Sequence, residues 1–388
     1  MILKNTKIQL VKDTIDKKDI SSLTKWLKTS PQLTKGDLTV EFEAKWSQWL
    51  GRKYSVFVNS GSAANLAAVY SLMLSGKMKN KKIIVPAVSW VTTVTPAIHL
   101  GLNPIMCECD EHDLGLNINH LKELIEKENP AAIILVHVLG IPNQMNHIIS
   151  LCKDNDILLI EDCCEAIGSE YAGKHLGTFG ELSTFSFYFS HHMSTIEGGM
   201  ISTDNEELYY ILLAIRSHGW DRDLPIEKQK KLREKYQIDD FRALYTFYYP
   251  GFNLRSTDLQ AFIGLRQLEK LNGFVKKRNH NFMIYHNHFR HHKWRIEPPM
   301  ESFVSNFAYP IITENRDRLV TKLKENNIDS RPLICGSINE HPFWYERYGY
   351  GNFPFAKNVH EHGLYLPNNH DLSKRDLMKI INVVNENI

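Results

Sequence analysis

Between Tyr54 and Ser202, short β-branched apolar runs alternate with longer stretches whose apolar residues recur at helical spacing. The strand-like runs are YSVFVN, KKIIVPAV, NPIMCECD, AAIILVHVL and DILLIED, and the first helical segment opens at Ala63. Continuous apolar strands separated by amphipathic helices predict a largely parallel sheet covered on both faces, an α/β domain. Residues 183–190 and 199–203 read as two further strands, joined by a segment with two adjacent histidines, His191 and His192. After Gln260 the texture changes. AFIGLRQLEKLNGFVKKRNHNFMIYHNHF keeps helical spacing over a long stretch and predicts a helix leading into a smaller α+β domain. The division is read as residues 1–260 and 261–388, with the first ~25 residues packed on the small domain. In the second part FAYPIIT reads as a strand and DRLVTKLKENN as a helix, and Ser373 precedes a terminal helix. HNHFRHH (286–292) falls on the predicted long helix and reads as solvated surface rather than a metal site.

Composition narrows the function classes. The 388 residues are 43% hydrophobic and 23% charged, enough for a substantial buried core. Lys+Arg 46 against Asp+Glu 44 leaves a formal charge of +2, which offers no footprint for nucleic acid or an anionic membrane. Any bound anion must therefore be met locally. The N-terminal MILKNTKIQLVKDTIDKKD interrupts its apolar residues with charges, unlike a signal peptide, and AAIILV from Ala131 is too short to span a bilayer; a cytoplasmic protein is expected. The six cysteines (Cys107, Cys109, Cys152, Cys163, Cys164, Cys335) show no CxxC spacing and read as free thiols, neither a disulfide framework nor a metal site.

Three features carry candidate chemistry. The run from Asn59 to Asn65, NSGSAAN, follows a strand and opens a helix, which suits either a phosphate held by backbone N–H groups or a tight turn with a serine cap. Asp162 ends the apolar run ILLIED, where ligands collect in open α/β sheets. Its partner could be a protonated ring nitrogen, Mg²⁺ or a structural arginine. Glu165, three residues on, reads as a second group at that site or as a surface acid. Trp90 ends IIVPAVSW and could cover a planar ligand or belong to the core. All three features fall at strand ends of one sheet, which favours one shared pocket.

A planar ligand with a phosphate at one end and a basic ring nitrogen at the other describes pyridoxal phosphate. The ordered set SGSAAN, VPAVSWVTT, LVHVLGIPNQM, IEDCCEAIGS, EGGMISTD and PGFNLRSTDLQAFIGLRQLEKL resembles the nucleotide-sugar aminotransferase (DegT/DnrJ/EryC/StrS) family of fold type I pyridoxal phosphate enzymes. The resemblance extends from LTKGDLTVEFEAKW to FPFAKNVHEHGLYLP, nearly the whole chain. It implies that Gly61, Ser62 and Ser186 hold the cofactor phosphate, with Asn253 reaching it from a partner subunit of a homodimer. It further implies that Trp90 stacks on the pyridine ring, Asp162 pairs with the ring nitrogen and Glu165 stands near the ring hydroxyl.

One position departs from the family. Its aminotransferases carry a cofactor-linking lysine six residues before the EGG glutamate; counting back from Glu197 gives His191, and no lysine occurs between Lys174 and Lys228. Imidazole cannot replace a primary amine in an imine but can serve as a base near neutral pH. This substitution resembles the sugar 3-dehydratase branch. The absence of clustered cysteines in IRSHGWDRDLPIEKQKK sets the chain apart from the iron–sulfur, CDP-sugar type. The resemblance then implies a GDP-linked 4-keto-6-deoxy sugar as substrate, glutamate regenerating pyridoxamine phosphate, and a 3,6-dideoxy sugar for a surface polysaccharide. His218 and Arg222 resemble that type's sugar or diphosphate contacts, or form a self-capped loop. Arg331 is a candidate for the glutamate carboxylate or a surface salt bridge. Alternation along a strand would send His191 and His192 to opposite faces, and the family register selects His191 as the base. An aminotransferase with a noncovalent cofactor, an iron–sulfur dehydratase and an inactive sugar-binding scaffold are the alternatives.

Overall fold

A computed structural model describes residues 7–292 and 295–388. Seven strands form the main sheet: β1 (Tyr54–Val58), β2 (Lys82–Pro86), β3 (Asn103–Cys107), β4 (Ala132–Val136), β5 (Leu158–Asp162) and, after the small pair β6 (Glu170–Tyr171) and β7 (Lys174–His175), β8 (Leu182–Ser186) and β9 (Gly199–Thr203). Their order is β1-β9-β8-β5-β4-β2-β3, with β9 antiparallel to both neighbours and the remaining pairs parallel. The expected, largely parallel α/β sheet is thus present. Helices α1 (Lys17–Leu27) and α2 (Asp37–Leu50) precede it, while α3 (Gly61–Leu74), α4 (Val91–His99), α5 (Ile118–Glu128) and α6 (Met145–Asp154) punctuate it. After β9 come α7 (Glu206–Arg216), α8 (Ile226–Tyr236) and the single turn α9 (Asp240–Ala243). Strand β4 shows why its sequence is apolar throughout: Ala132, Ile134 and Val136 enter one core, Ile133 and Leu135 the other, and all are buried. With helices on both faces, neither side of the strand meets water.

The long helix α10 (Asp258–His288) starts at a capping box in which Thr257 and Gln260 each bond the other's backbone N–H. It leads to β10 (Ser302–Phe303), which pairs with β6, and to a second sheet of β11 (Tyr309–Ile312), β12 (Arg331–Pro332) and β13 (Gly363–Leu366). Helices α11 (Arg316–Glu325), α12 (Pro342–Tyr348), α13 (Pro354–His362) and α14 (Lys374–Asn385) complete this part, the last capped by Ser373. The small sheet unit is tied to the strand ends of the large sheet. Buried Glu108, just past β3, accepts the N–H groups of Phe355 and Ala356 at 3.0 and 2.9 Å in the first turn of α13, and Ile338 donates its N–H to the Ala87 carbonyl at 2.8 Å. At the N-terminus, Ile8 bridges to Ile328 and Asp19 of α1 bonds Arg266, Gln267 and Lys270 on α10.

Two sequence expectations need correction. Residues 183–190 were expected as strand, but β8 ends at Ser186. Phe187 makes one more rung with Gly198 (N to O, 2.9 Å); then the chain folds back on itself, Thr195 N donating to Phe187 O and His191 N to Tyr188 O. Beyond Gly198 no neighbouring strand remains to pair with, so the aromatic alternation of SFYF continues into a loop. The histidine-rich patch also leaves the helix: α10 ends at His288, and His291 and His292 lie past it.

Candidate active site

The ends of β5 and β8, the start of α3, the turn before α4 and the 188–191 loop enclose a cavity of about 380 Å³. Gly61, Ser62, Trp90, Asp162, Glu165, Ser186 and His191 all line it. At one end Ser60 caps α3, its Oγ accepting the Ala63 N–H at 3.0 Å, so the first turn directs its free N–H groups and the positive end of the helix dipole at the space beside Ser62 and Ser186. Close approach demands glycine here: a Cβ on Gly61 would fall 2.6 Å from Ser186 Cβ, and one on Gly199 2.2 Å from the Ser60 carbonyl oxygen. The second glycine of EGG thus lets β9 pass beneath the turn.

At the other end Asp162 is held by three donors. Asn65 Nδ2 and Thr93 Oγ1 each reach its Oδ2 at 2.8 Å, and the Cys164 N–H reaches Oδ1 at 3.0 Å. The Thr184 hydroxyl donates to Asn65 Oδ1 at 2.6 Å, which fixes the amide with its NH₂ toward the carboxylate. The Cys164 thiol also bonds this carboxylate, which lines the cavity. Glu165 accepts the Leu139 N–H at 2.7 Å, and Leu139 sits in the left-handed region (φ 54°) to present it. Burial, with a further contribution from the Asp162 charge, raises Glu165 to about 8 against that bond, so its carboxyl is protonated at neutral pH. Trp90 is 52% exposed and lines the cavity, where an indole can stack on a planar ligand. His191 Nδ1 lies 3.3 Å from Ser190 Oγ, and burial together with the Arg278 charge lowers its imidazole to about 3. His191 is therefore a neutral base at neutral pH. His192 turns the other way: fully buried, its Nε2 lies 2.8 Å from the Ser305 carbonyl oxygen.

The lining contains the carboxylates of Asp162 and Glu197, the protonated carboxyl of Glu165, and no lysine or arginine. Such a site suits a planar cation stacked on Trp90 with its N–H toward Asp162 and an anionic group at the α3 turn. The remaining candidates lie elsewhere. Asn253 and Arg222 line a second, open cavity with Lys35 and Arg255, and His218 touches it through Arg255 at 3.5 Å. The Arg222 guanidinium lies 3.9 Å over the Trp220 ring and donates to the Leu244 carbonyl. Arg331 is exposed on β12, opposite Tyr365, which does line the first cavity.

Comparison with known proteins agrees with this arrangement. The sequence profile described as the DegT/DnrJ/EryC1/StrS aminotransferase family matches residues 13–385. The chain belongs to that family. A GDP-4-keto-6-deoxy-D-mannose 3-dehydratase of Yersinia pseudotuberculosis is 36% identical over 379 residues, covering 94% of this chain and 95% of that one. Its counterpart in Escherichia coli O55:H7 is 35% identical over 351 residues, 87% of this chain and 89% of the relative. A crystal structure of GDP-4-keto-6-deoxymannose-3-dehydratase with a trapped PLP-glutamate geminal diamine superposes with a TM-score of 0.88 at 32% identity, covering 97% of this chain and 99% of that one. The aminotransferase-like fold is therefore shared.

Asn65, Thr93, Tyr188, Glu197, Phe307 and Tyr365 also line the cavity, and the sequence reading assigned them no role. For Asn65 a signal existed: it stands one helical turn after the Gly61–Ser62 turn, on the face toward the sheet. Phe307 and Tyr365 come from the small sheet unit, and no local pattern marks them.

Proposed function

We propose that this chain removes the C-3 hydroxyl of a GDP-linked 4-keto-6-deoxy sugar, most closely GDP-4-keto-6-deoxymannose, using pyridoxal and pyridoxamine phosphate and taking its amino group from glutamate. The observation that carries this reading is the cavity itself: it holds each group a pyridoxal phosphate ring needs, yet presents His191 and no lysine. The chain's similarity to two named 3-dehydratases supports it.

The cofactor, when bound, supplies an amino group for the C-4 ketone and a ring that accepts an electron pair. Asp162, fixed in place by its donors at the cavity edge, holds the ring nitrogen in its protonated form. Gly61, Ser62 and Ser186 at the α3 terminus hold the phosphate, with Asn253 contributed by the second subunit of a homodimer. Trp90 covers the ring face, and protonated Glu165 donates to the ring hydroxyl. His191 accepts the proton from the carbon that bears the amino group and delivers it to the departing C-3 hydroxyl. Lacking a primary amine, the site cannot hold its cofactor covalently; once the C-3 hydroxyl has left, water would hydrolyse the C-4 carbon–nitrogen bond of the sugar, restoring the ketone and releasing the nitrogen as ammonia. Glutamate is then consumed stoichiometrically, 2-oxoglutarate is released, and the sugar loses one oxygen. Among the described residues no helix is long and apolar enough to cross a membrane. Six free cysteines fit a reducing compartment, and we place the reaction in the cytoplasm.

The test is product analysis. Protein incubated with pyridoxal phosphate, glutamate and GDP-4-keto-6-deoxymannose should give 2-oxoglutarate, ammonia and a sugar lighter by one oxygen. A 4-amino sugar in place of that product would make the chain an aminotransferase with a noncovalent cofactor.

A further inference from the structure

Behind His191 lies a buried cation that the proposed reaction does not use. Arg278, on α10, is 2% exposed, and among the described residues it forms no ion pair with a carboxylate. Its guanidinium is met by backbone carbonyls: Nη1 donates to Asn306 at 3.3 Å, Phe307 at 2.9 Å and Asn368 at 2.5 Å, while Nε has no partner. The Phe307 ring is a neighbour of both this charge and the histidine pair. Arg278 Cζ is 6.0 Å from the ring centroid, and the His191 and His192 rings are 5.2 and 6.2 Å from it. The same segment receives His192, whose Nε2 meets the Ser305 carbonyl. Residues 305–307 thus touch both Arg278 and the loop that carries the base.

Burying a charge without a counter-charge is expensive, and an apolar side chain of similar volume would avoid the cost. An unpaired cation also keeps its full field on its neighbours in a low-dielectric interior. We propose that Arg278 is a positioning residue for the base, fixing His191 through Phe307 and opposing its protonation by charge. Other titratable groups share the cavity with His191. From the cavity side come Asp162, Glu165, Glu197, Tyr188 and Tyr365; from its own loop come Ser190 and His192; exposed Arg331 stands beyond Tyr365. Carboxylates favour imidazolium, and a base already carrying its proton cannot accept another. Burial and Arg278 are the two influences that hold the imidazole down to about 3.

This inference rests on reading His191 as the base, but its first test does not depend on the reaction. In protein labelled at histidine Cε1, the His191 signal is identified by its loss in His191→Asn, then followed by NMR from pH 8 to 4.5 with and without pyridoxal phosphate. In the wild type the signal should hold its neutral position throughout; titration near the ordinary value of about 6.5 would overturn the proposal without any Arg278 variant. In Arg278→Gln the onset of titration should move up by about one unit or more, and in Arg278→Lys, which keeps the charge, it should stay low. The acid limb of kcat/KM for dehydration should move in the same direction in the Gln variant and remain in place in the Lys variant. Identical titration in all three proteins, or a Lys variant that follows Gln, would show Arg278 to be a packing residue only. Should no protein dehydrate the sugar while the NMR shifts appear as expected, the functional reading fails and the electrostatic one stands.

Discussion

Asp162 is legible in the sequence as an acid closing an apolar strand, but the groups that make it useful are not. Asn65 and Thr93 are 97 and 69 positions away in the chain and converge on one oxygen only because α3 and α4 both begin at the same edge of the sheet. Thr93→Val removes a donor to a buried carboxylate at nearly constant volume, a loss of about 1.5–3 kcal/mol. Cofactor affinity should fall roughly tenfold to a hundredfold, measured by quenching of Trp90 fluorescence on titration with pyridoxal phosphate. Glu165 gives a pH signature whose sign is fixed. Its folded value of about 8 lies above the ordinary carboxylate value of 4.5, so the folded protein binds the extra proton between these limits. That stabilisation is complete below about pH 4.5 and is lost as pH rises through about 8. Relative to Glu165→Gln, which has no proton to lose, the wild-type melting temperature should therefore fall between pH 6 and 9. Parallel melting curves over that range would show that Glu165 is already ionised in the fold.

Among the elements, strand and helix identity was readable wherever the apolar pattern matched the pairing that tertiary structure supplies. β4 and α10 are cases: one is apolar on both faces because both are covered, the other starts at a capping box visible as Thr257 and Gln260. Residues 187–190 differ from the strand expected of them because alternation is a property of side chains, whereas a strand also needs a partner, and the partner strand β9 begins only at Gly199. The separation of His191 from His192 nevertheless follows, for a different reason. One imidazole faces the cavity and the other is anchored on the Ser305 carbonyl, so the loop is fixed at His192 and free to act at His191. His192→Ala should consequently damage the fold and the placement of the base together, lowering stability by about 1–3 kcal/mol through the vacated carbonyl and cavity. His191→Asn should leave the melting temperature nearly unchanged while dehydration falls by about 10² or more. At the other end of the site, Gly61→Ala drives a methyl group into Ser186 and should cost about 1–3 kcal/mol, with phosphate binding lost as well. Thermal melts of the three variants, with and without cofactor, separate these outcomes.

At the scale of the whole molecule, the two cavities complement each other in charge. The first offers two carboxylates, a protonated Glu165 and no lysine or arginine, although its proposed ligands carry a cofactor phosphate and a nucleotide diphosphate. The second, open to solvent, is lined by Lys35, Arg222, Arg255 and Asn253 within the same chain, Lys35 being paired there with Asp223 at 3.0 Å, so Arg222 and Arg255 carry its excess positive charge. A helix terminus alone is a weak counter-charge for so much anion, worth about 0.3–1 kcal/mol near a surface. A two-fold dimer that set the second cavity of each subunit against the first cavity of the other would supply the missing cations twice, by one interface. The sequence could name Asn253 through family resemblance, but nothing local to residue 253 says which subunit it serves. Mixing decides it. His191→Asn and Asn253→Asp are each expected to be inactive as homodimers. If Asn253 acts across the interface, a hybrid of the two contains one site with both residues intact, and one with neither. Random exchange of equal amounts should then restore about one quarter of wild-type dehydration, since half the dimers are hybrids and half their sites are whole. If Asn253 served its own subunit, every site in every dimer would carry one defect, and mixing would restore nothing.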